Sequence, residues 1–177
     1  QYAQYLTNDS SVAEIMWRYV VWYYDQMDLI YVPSVSTAAE LAEKGISEAK
    51  IKIFPRGVDT GLFNPMRRNG CLGKYGVQPN TVKLLYVGRV SREKNLDLLV
   101  RAFKKLSGAQ DNLSLVVVGD GPYTEEMRES LRGTRTVFTG YIEGEALASV
   151  YASADLFVFP STTDTFGNVV LEAQASG

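Results

Sequence analysis

The chain has 177 residues and a formal net charge of −2 at neutral pH. A charge balance this close to neutral differs from the basic surface of nucleic-acid-binding proteins, so no nucleic acid is expected as a partner. One cysteine and no histidine exclude, within this chain, a disulfide framework, a zinc site built from several cysteines or histidines, and a histidine-dependent catalytic triad.

The first part of the chain predicts an alternation of helices and short strands. The predicted elements are an aromatic-rich helix from residue 11 to about Met27, a strand over 29–32, a helix over 36–44 and a strand over 50–54. Gly45 is expected to end the second helix, because glycine readily adopts the left-handed conformation found after helix ends. We interpret residues 1–64 as the end of one domain.

Residues 65–81 differ in composition from both flanks. They contain two prolines and three glycines, which interrupt helices and strands. This composition predicts a linker, and residues 82–177 are then expected to form most of a second domain.

The second domain shows four short apolar runs, each ending in glycine or proline: residues 84–88, 115–119, 136–140 and 156–160. Their continuous apolar character favours parallel strands that are buried on both faces. Helices are predicted between and after them, over 95–106, 122–132, 145–153 and 167–176, with Asn95 capping the first. The alternation predicts an α/β fold with a doubly wound, Rossmann-like parallel sheet, in which ligands bind beyond the carboxyl ends of the strands.

A basic cluster follows the first of these strands. Gly88 and Arg89 come directly after it, and Lys94 lies just before the next predicted helix. A guanidinium and an ammonium group together suit the binding of a diphosphate. The alternative interpretation is a solvated basic loop paired with Glu93, and we assign Arg92 to solvent.

The second strand is followed by Gly119-Asp120-Gly121-Pro122. This run begins like a dinucleotide-binding fingerprint but lacks its last glycine, and a Gly-x-Gly alone is weak support for a nicotinamide cofactor. Pro122 is compatible with a first helical turn. We interpret the motif as a tight strand-to-helix turn near a ligand, which argues against an oxidoreductase.

The last polar loop leads into a helix that begins near Gly167. The first amides of a helix carry partial positive charge and suit a diphosphate or sugar hydroxyls. Asp164 and Glu172 could each accept hydrogen bonds from a sugar; the alternative is a helix cap and a solvated helix residue. The sequence has no Asp-x-Asp pair, so no metal bridging phosphates is predicted.

Together these motifs resemble the retaining glycosyltransferases of family four, the group 1 glycosyltransferases, whose GT-B architecture has two facing Rossmann-like domains. The motifs that carry the resemblance are Gly88-Arg89 with Lys94, Gly119 to Pro122, Phe138-Thr139-Gly140, and the carboxylates Asp164 and Glu172. Asp164 replaces the glutamate that is commonest at the first carboxylate position, so the preference for the donor sugar stays open.

The resemblance implies a role for each candidate residue. Arg89 and Lys94 would stabilise the leaving diphosphate, and Asp164 would bind the donor sugar as the third catalytic residue. Glu172 would bind the ribose, and the backbone of Tyr141 and Ile142 would contact the base. The other expected donor-binding residues are Gly88, Gly119, Gly121, Phe166, Gly167 and Asn168.

The resemblance also implies the partners of the enzyme. The donor would be a GDP- or UDP-linked sugar, used without a cofactor or metal, and the acceptor a glycan or a lipid. The first 65 residues are similar to members that use GDP-mannose or UDP-sugars to glycosylate lipids; the similarity lies in Tyr31-Val32-Pro33-Ser34, then Arg56-Gly57-Val58-Asp59 with Phe63-Asn64-Pro65. One cysteine and no visible export signal predict a cytoplasmic enzyme of carbohydrate biosynthesis, and a lipid acceptor would place the whole enzyme peripherally at the inner membrane face. We also expect the chain to be a fragment, truncated within the donor domain and inactive alone.

Two further interpretations stay open. A GT-B-like nucleotide-sugar epimerase would share the sheet and the phosphate-binding loops. A non-catalytic nucleotide-sugar binding module would retain the same motifs without turnover, and product analysis would distinguish it from an enzyme.

Overall fold

A computed structural model describes residues 10–54, 57–162 and 167–177. The chain divides into two compact units, Gln1–Arg56 and Gly57–Gly177. The predicted boundary near residue 65 between two domains of the whole protein stays a prediction.

The first unit contains two helices and two parallel strands, in the predicted order. They are α1 (Ser10–Asp25), β1 (Ile30–Val32), α2 (Val35–Glu43) and β2 (Ile51–Ile53). Helix α2 begins after Ser34, whose hydroxyl accepts a hydrogen bond from the Thr37 amide. Gly45 has a φ of +101°, as expected of a glycine that follows a helix. The small core is centred on Ile30, Val32, Leu41 and Ile46.

The second unit alternates strands and helices around one parallel sheet. Its elements are β3 (Val82–Val87), α3 (Leu96–Ala109), β4 (Leu113–Val118), α4 (Thr124–Ser130), β5 (Thr136–Gly140), α5 (Gly144–Ser153), β6 (Leu156–Phe157) and α6 (Asn168–Ser176). The strand order is β5-β4-β3-β6 and every pair is parallel. The predicted α/β fold class is confirmed.

Burial on both faces explains the continuous apolar runs. All six residues of β4 are buried. Leu115 and Val117 pack into one core cluster with Phe103 of α3, whereas Val116 packs into a second cluster with Val150 of α5. Successive side chains of a strand point to opposite faces, so both faces of this sheet need apolar residues.

The stretch 65–81 packs against the second unit. It forms two short 3₁₀ helices, Pro65–Arg67 and Cys71–Tyr75, and it buries Leu72 and Val77 in the core cluster that contains Val150. Its glycines and prolines therefore produce turns that bring apolar side chains back to the core. That this stretch also connects two domains stays a prediction.

An ion-pair cluster joins this stretch to the sheet. Asp155, just before β6, is 2.7 Å from a guanidinium nitrogen of Arg68 and accepts a hydrogen bond from the Lys83 amide at 2.9 Å. The Lys83 ammonium lies 3.4 Å from the same carboxylate. Burial alone would raise the pKa of Asp155, but the contacts with Arg68 and Lys83 outweigh it and hold that pKa below its usual value.

Replacing Asp155 with asparagine is expected to lower the free energy of unfolding by about 1–2 kcal/mol at pH 7. A carboxyl pKa that is lower in the folded state stabilises the fold above the unfolded value of about 4 and loses that effect as the pH falls through the folded value. The difference between wild type and variant should therefore shrink below about pH 4.

Denaturant titrations at several pH values would measure this difference. Glu129→Gln is the matched control, because Glu129 pairs with Arg132 and both side chains are more than half exposed; its expected effect is within about 0.5 kcal/mol. Equal stability of Asp155→Asn and wild type at pH 7 would contradict the proposed contribution.

Candidate functional site

Three strand ends meet at the carboxyl edge of the sheet. Gly88, Gly119 and Gly140 end or follow β3, β4 and β5. The Gly88 amide donates to the Val118 carbonyl at 3.0 Å, and the Gly119 amide donates to the Gly140 carbonyl at 2.9 Å. Three of the sequence motifs are therefore neighbours at the edge where parallel sheets bind ligands.

The loops after β3 and β4 approach each other too closely for side chains. A Cβ atom on Gly119 would lie 2.1 Å from the Gly88 carbonyl oxygen, and one on Gly121 would lie 2.3 Å from the Val90 carbonyl oxygen. The Val90 amide also donates to the Asp120 carbonyl at 3.0 Å. Packing between loops thus explains both glycines and agrees with the predicted tight turn, while their contact with a donor stays a prediction.

The carboxylate of Asp120 is used within that turn. It accepts hydrogen bonds from the Thr124 hydroxyl at 2.8 Å and the Gly121 amide at 2.7 Å. These bonds, the one from Thr124 above all, lower the pKa of Asp120. Asp120 therefore acts as the local cap of the turn that leads into α4.

The basic loop is attached to strand β3 by a buried tyrosine. Tyr86 is 1% exposed, and its hydroxyl donates to the Arg89 carbonyl at 2.9 Å. The Arg89 side chain is exposed, with a guanidinium nitrogen 4.0 Å from the Glu93 carboxylate. Lys94 is partly buried and ends the 3₁₀ turn Arg92–Lys94. Sequence reasoning did not identify Tyr86 as a functional residue. The feature that could have identified it is a tyrosine, which carries a polar hydroxyl group, among the aliphatic residues at the end of the strand.

Arg92 is exposed but paired. Its guanidinium contacts Asp97 at 3.2 Å and Glu126 of α4, and it lies over the Tyr123 ring at 4.8 Å. The interpretation of Arg92 as a solvated residue was therefore incomplete. These partners hold Arg92 toward α4, and its exclusion from the ligand-binding residues stays a prediction.

Asn95 connects the basic loop to the segment after β6. It has a φ of +56°, and its side-chain amide donates to the Pro160 carbonyl at 3.4 Å. Asn95 occupies the N-cap position of α3, but its side chain makes no capping hydrogen bond. The predicted cap is wrong in this respect, because the side chain reaches across to the neighbouring loop. Lys94 therefore directly precedes Asn95, whose side chain contacts Pro160 at the start of the loop after β6.

The predicted helix after that loop is α6. Gly167 precedes it with a φ of +64°, and Asn168 is its first residue, so this helix begins where the sequence predicted; the binding of a ligand by its first amides stays a prediction. Asp164 and Phe166 lie outside the described residues, as does Arg56, and their roles stay predictions.

Glu172 is a partly buried residue of α6. The Tyr151 hydroxyl donates to its Oε2 at 2.9 Å. Burial, and then the nearby Glu172 charge, raise the pKa of Tyr151. The alternative of a simply solvated Glu172 is therefore wrong. Sequence reasoning missed Tyr151, because nothing in the periodicity relates two residues of different helices.

Tyr141 and Ile142 follow β5 at the same edge of the sheet. Tyr141 is 75% exposed, and its hydroxyl donates to the Glu143 carboxylate at 2.9 Å. Ile142 packs partly against the core cluster that contains Val150. Their positions are compatible with a backbone contact to a base, which stays a prediction.

Neither a metal-binding cluster nor a membrane-spanning helix occurs within residues 10–54, 57–162 and 167–177. Within these ranges, no three histidine, cysteine, aspartate or glutamate side chains are grouped to hold a metal ion. In the same part of the chain, no helix combines the length and apolar character needed to cross a membrane.

Two family models match the chain. The family described as "Glycosyl transferases group 1" matches residues 81–177, more than half of the chain, and "Glycosyltransferase Family 4" matches residues 4–62. These matches include every candidate site residue in the second unit.

Curated relatives extend the likeness over most of the chain. Sulfoquinovosyl transferase SQD2 of Arabidopsis thaliana is 36% identical over 92% of this chain. A GDP-mannose-dependent alpha-mannosyltransferase of Corynebacterium glutamicum is 36% identical over 94% of it. The chain spans only 32% and 38% of the length of these two relatives.

A solved structure shares the fold. The crystal structure of Anabaena Alr3699/HepE in complex with UDP and glucose matches 93% of this chain and 46% of its own chain, with a TM-score of 0.78 and 21% identity. The fold is thus that of the GT-B enzymes, with Rossmann-like α/β units.

Proposed function

The chain belongs to the group 1 glycosyl transferases, and on that premise we propose that the whole protein moves a sugar from a nucleotide-diphosphate sugar to an acceptor hydroxyl. The transfer retains the anomeric configuration and needs no metal. The observation that carries the proposal is the meeting of the loops after β3, β4 and β5, with Asn95 joining the basic loop to Pro160.

The charges suit the leaving group of such a reaction. When the bond between C1 and the phosphate oxygen breaks, its electron pair stays with the diphosphate, and negative charge grows there. Arg89 and Lys94, together with the amides of Gly167 and Asn168, would stabilise that charge. Prearranged donors of this kind contribute about 3 kcal/mol each to the stability of a transition state.

The remaining candidates would hold the rest of the donor. Glu172 would accept hydrogen bonds from the ribose hydroxyls, and the backbone of Tyr141 and Ile142 would contact the base. Asp164 would bind hydroxyls of the transferred sugar. The open edge beyond Gly88 and Gly119 would admit the diphosphate close to the backbone.

The donor is proposed to carry GDP or UDP. The name of one relative specifies GDP-mannose, and the HepE complex contains UDP. The acceptor is proposed to be a glycan or a lipid, with the enzyme in the cytoplasm and peripheral at the inner membrane face when the acceptor is a lipid.

Calorimetry on the whole protein with GDP, UDP and ADP would test the donor. One nucleoside diphosphate should bind more tightly than the other two, and binding should persist in EDTA. Incubation with the matching α-linked sugar donor and candidate acceptors should yield an α-linked product. Absence of binding by all three nucleotides, or a β-linked product, would contradict the proposal, and binding without any product would favour a non-catalytic module.

A further inference from the structure

Tyr151 of α5 and Glu172 of α6 form a hydrogen-bonded pair beside the core of the second unit. Tyr151 is 4% exposed, and its hydroxyl oxygen lies 2.9 Å from Oε2 of Glu172. Glu172 is partly buried. The pair thus links two helices at a carboxylate that the proposed function assigns to the donor.

The direction of this hydrogen bond follows from the environment. Burial and the Glu172 charge both raise the pKa of Tyr151, so the phenol keeps its proton at neutral pH. An ionised carboxylate only accepts hydrogen bonds, and it has two oxygens. A bond to Oε2 is therefore compatible with a ligand hydroxyl donating to Oε1.

The Tyr151 ring packs against two other aromatic rings. The Phe63 ring packs edge-on, with centroids 5.7 Å apart, and the Phe157 ring of β6 lies at 5.9 Å. A tyrosine ring fixed by such packing places its hydroxyl in one position. A glutamate side chain is flexible and loses conformational entropy when it is ordered, so a fixed donor can order it before any ligand arrives.

We propose that Tyr151 is a positioning residue for ribose recognition, because its hydroxyl holds the Glu172 carboxylate in the orientation that accepts the ribose hydroxyls. The inference rests on the proposed function, since it assigns a nucleotide ribose to Glu172. Phe63, which lies before residue 65, also contributes to this positioning, because its ring packs against the Tyr151 ring.

Tyr151→Phe in the whole protein tests this inference. The change keeps the ring and removes only the hydroxyl. Calorimetry would compare the preferred nucleoside diphosphate with its 2′-deoxy and 3′-deoxy analogues. Wild type should favour the ribonucleotide, and the variant should lose about three- to tenfold of that preference. The KM for the donor should rise while kcat changes little, since ribose contacts exist before and during the transition state.

Tyr123→Phe is the matched control. Tyr123 is also 4% exposed, and its hydroxyl donates to a carboxylate, that of Asp97, at 2.6 Å. Loss of this hydrogen bond should leave the preference for the ribonucleotide at the wild-type value. A general effect of losing a buried tyrosine–carboxylate bond would instead change both variants equally and would overturn the inference.

A double variant covers the case in which Tyr151→Phe folds poorly. Replacing both polar partners of a buried hydrogen bond by apolar groups of similar shape costs less than removing one, so Tyr151→Phe with Glu172→Leu should fold. Its preference for the ribonucleotide should equal that of Glu172→Leu alone. An undiminished preference in Tyr151→Phe, or a further loss in the double variant, overturns the role of Tyr151. Failure of wild type to bind any nucleotide overturns the proposed function itself.

Discussion

Replacing Lys94 with alanine in the whole protein is expected to lower turnover about a hundredfold. Lys94 is partly buried at the end of the 3₁₀ turn Arg92–Lys94, and its amide donates to the Ser91 carbonyl at 3.1 Å. The backbone of the turn thus places Lys94 directly before Asn95, whose side-chain amide donates to the Pro160 carbonyl. Loss of the Lys94 ammonium group should reduce the stabilisation of the negative charge that develops on the departing diphosphate.

Steady-state kinetics would measure this effect, with Lys105→Ala as the control. Lys105 is an exposed lysine of α3, so its removal changes the net charge equally without touching the basic loop. The control should keep wild-type turnover. A Lys94→Ala enzyme with unchanged kcat and unchanged KM would remove Lys94 from the mechanism, whereas a higher KM with unchanged kcat would limit it to donor binding.

Gly119→Ala is expected to lower the free energy of unfolding by roughly 2–5 kcal/mol. Two effects combine at this position. The residue has a φ of +117°, which is unfavourable for alanine, and the new Cβ would lie 2.1 Å from the Gly88 carbonyl oxygen. Since the contacted atom belongs to the backbone, the loop after β3 must move, and the candidate site should be damaged as well.

Denaturant titrations would measure this loss of stability, and variants at two other glycines would separate the two effects. Gly121 is outside the positive-φ region but would place a Cβ 2.3 Å from the Val90 carbonyl oxygen, so Gly121→Ala should show the overlap alone. Gly133 has a φ of +83° and open space around it, so Gly133→Ala should cost only about 1–2 kcal/mol. A Gly119→Ala variant no less stable than Gly133→Ala would disprove the close approach.

The local pattern of apolar and polar residues was sufficient to predict the order of the helices and strands. The continuous apolar run over 115–118 lies within β4, and the residues after each strand of the sheet lie at one edge because all of its strands run parallel. The glycines at 88, 119 and 140 could therefore be assigned to a common edge in advance. The turn at 119–121 was also predictable, although its close contact with the loop after β3 was not.

Contacts between segments distant in the sequence were beyond such reasoning. Asn95 was predicted as a cap because its type and position suit one, but a carbonyl 65 residues away receives its side-chain amide. The composition of residues 65–81 predicted a linker, which stays a prediction, but it did not predict the burial of Leu72, which is 2% exposed. In both cases the contact is made with a partner that only the folded chain supplies.

The amino-acid sequence by itself determined the parallel α/β fold, the motif residues and the family to which they point. Periodicity and residue type are sufficient to predict these properties. Burial on two faces and backbone conformation each require particular residue types within a single segment, so they can be recognised segment by segment. Only the tertiary structure decided that Tyr86 holds Arg89, that Tyr151 holds Glu172 and that α4 holds Arg92. Each of these contacts depends on which elements pack together, and packing depends on the whole unit.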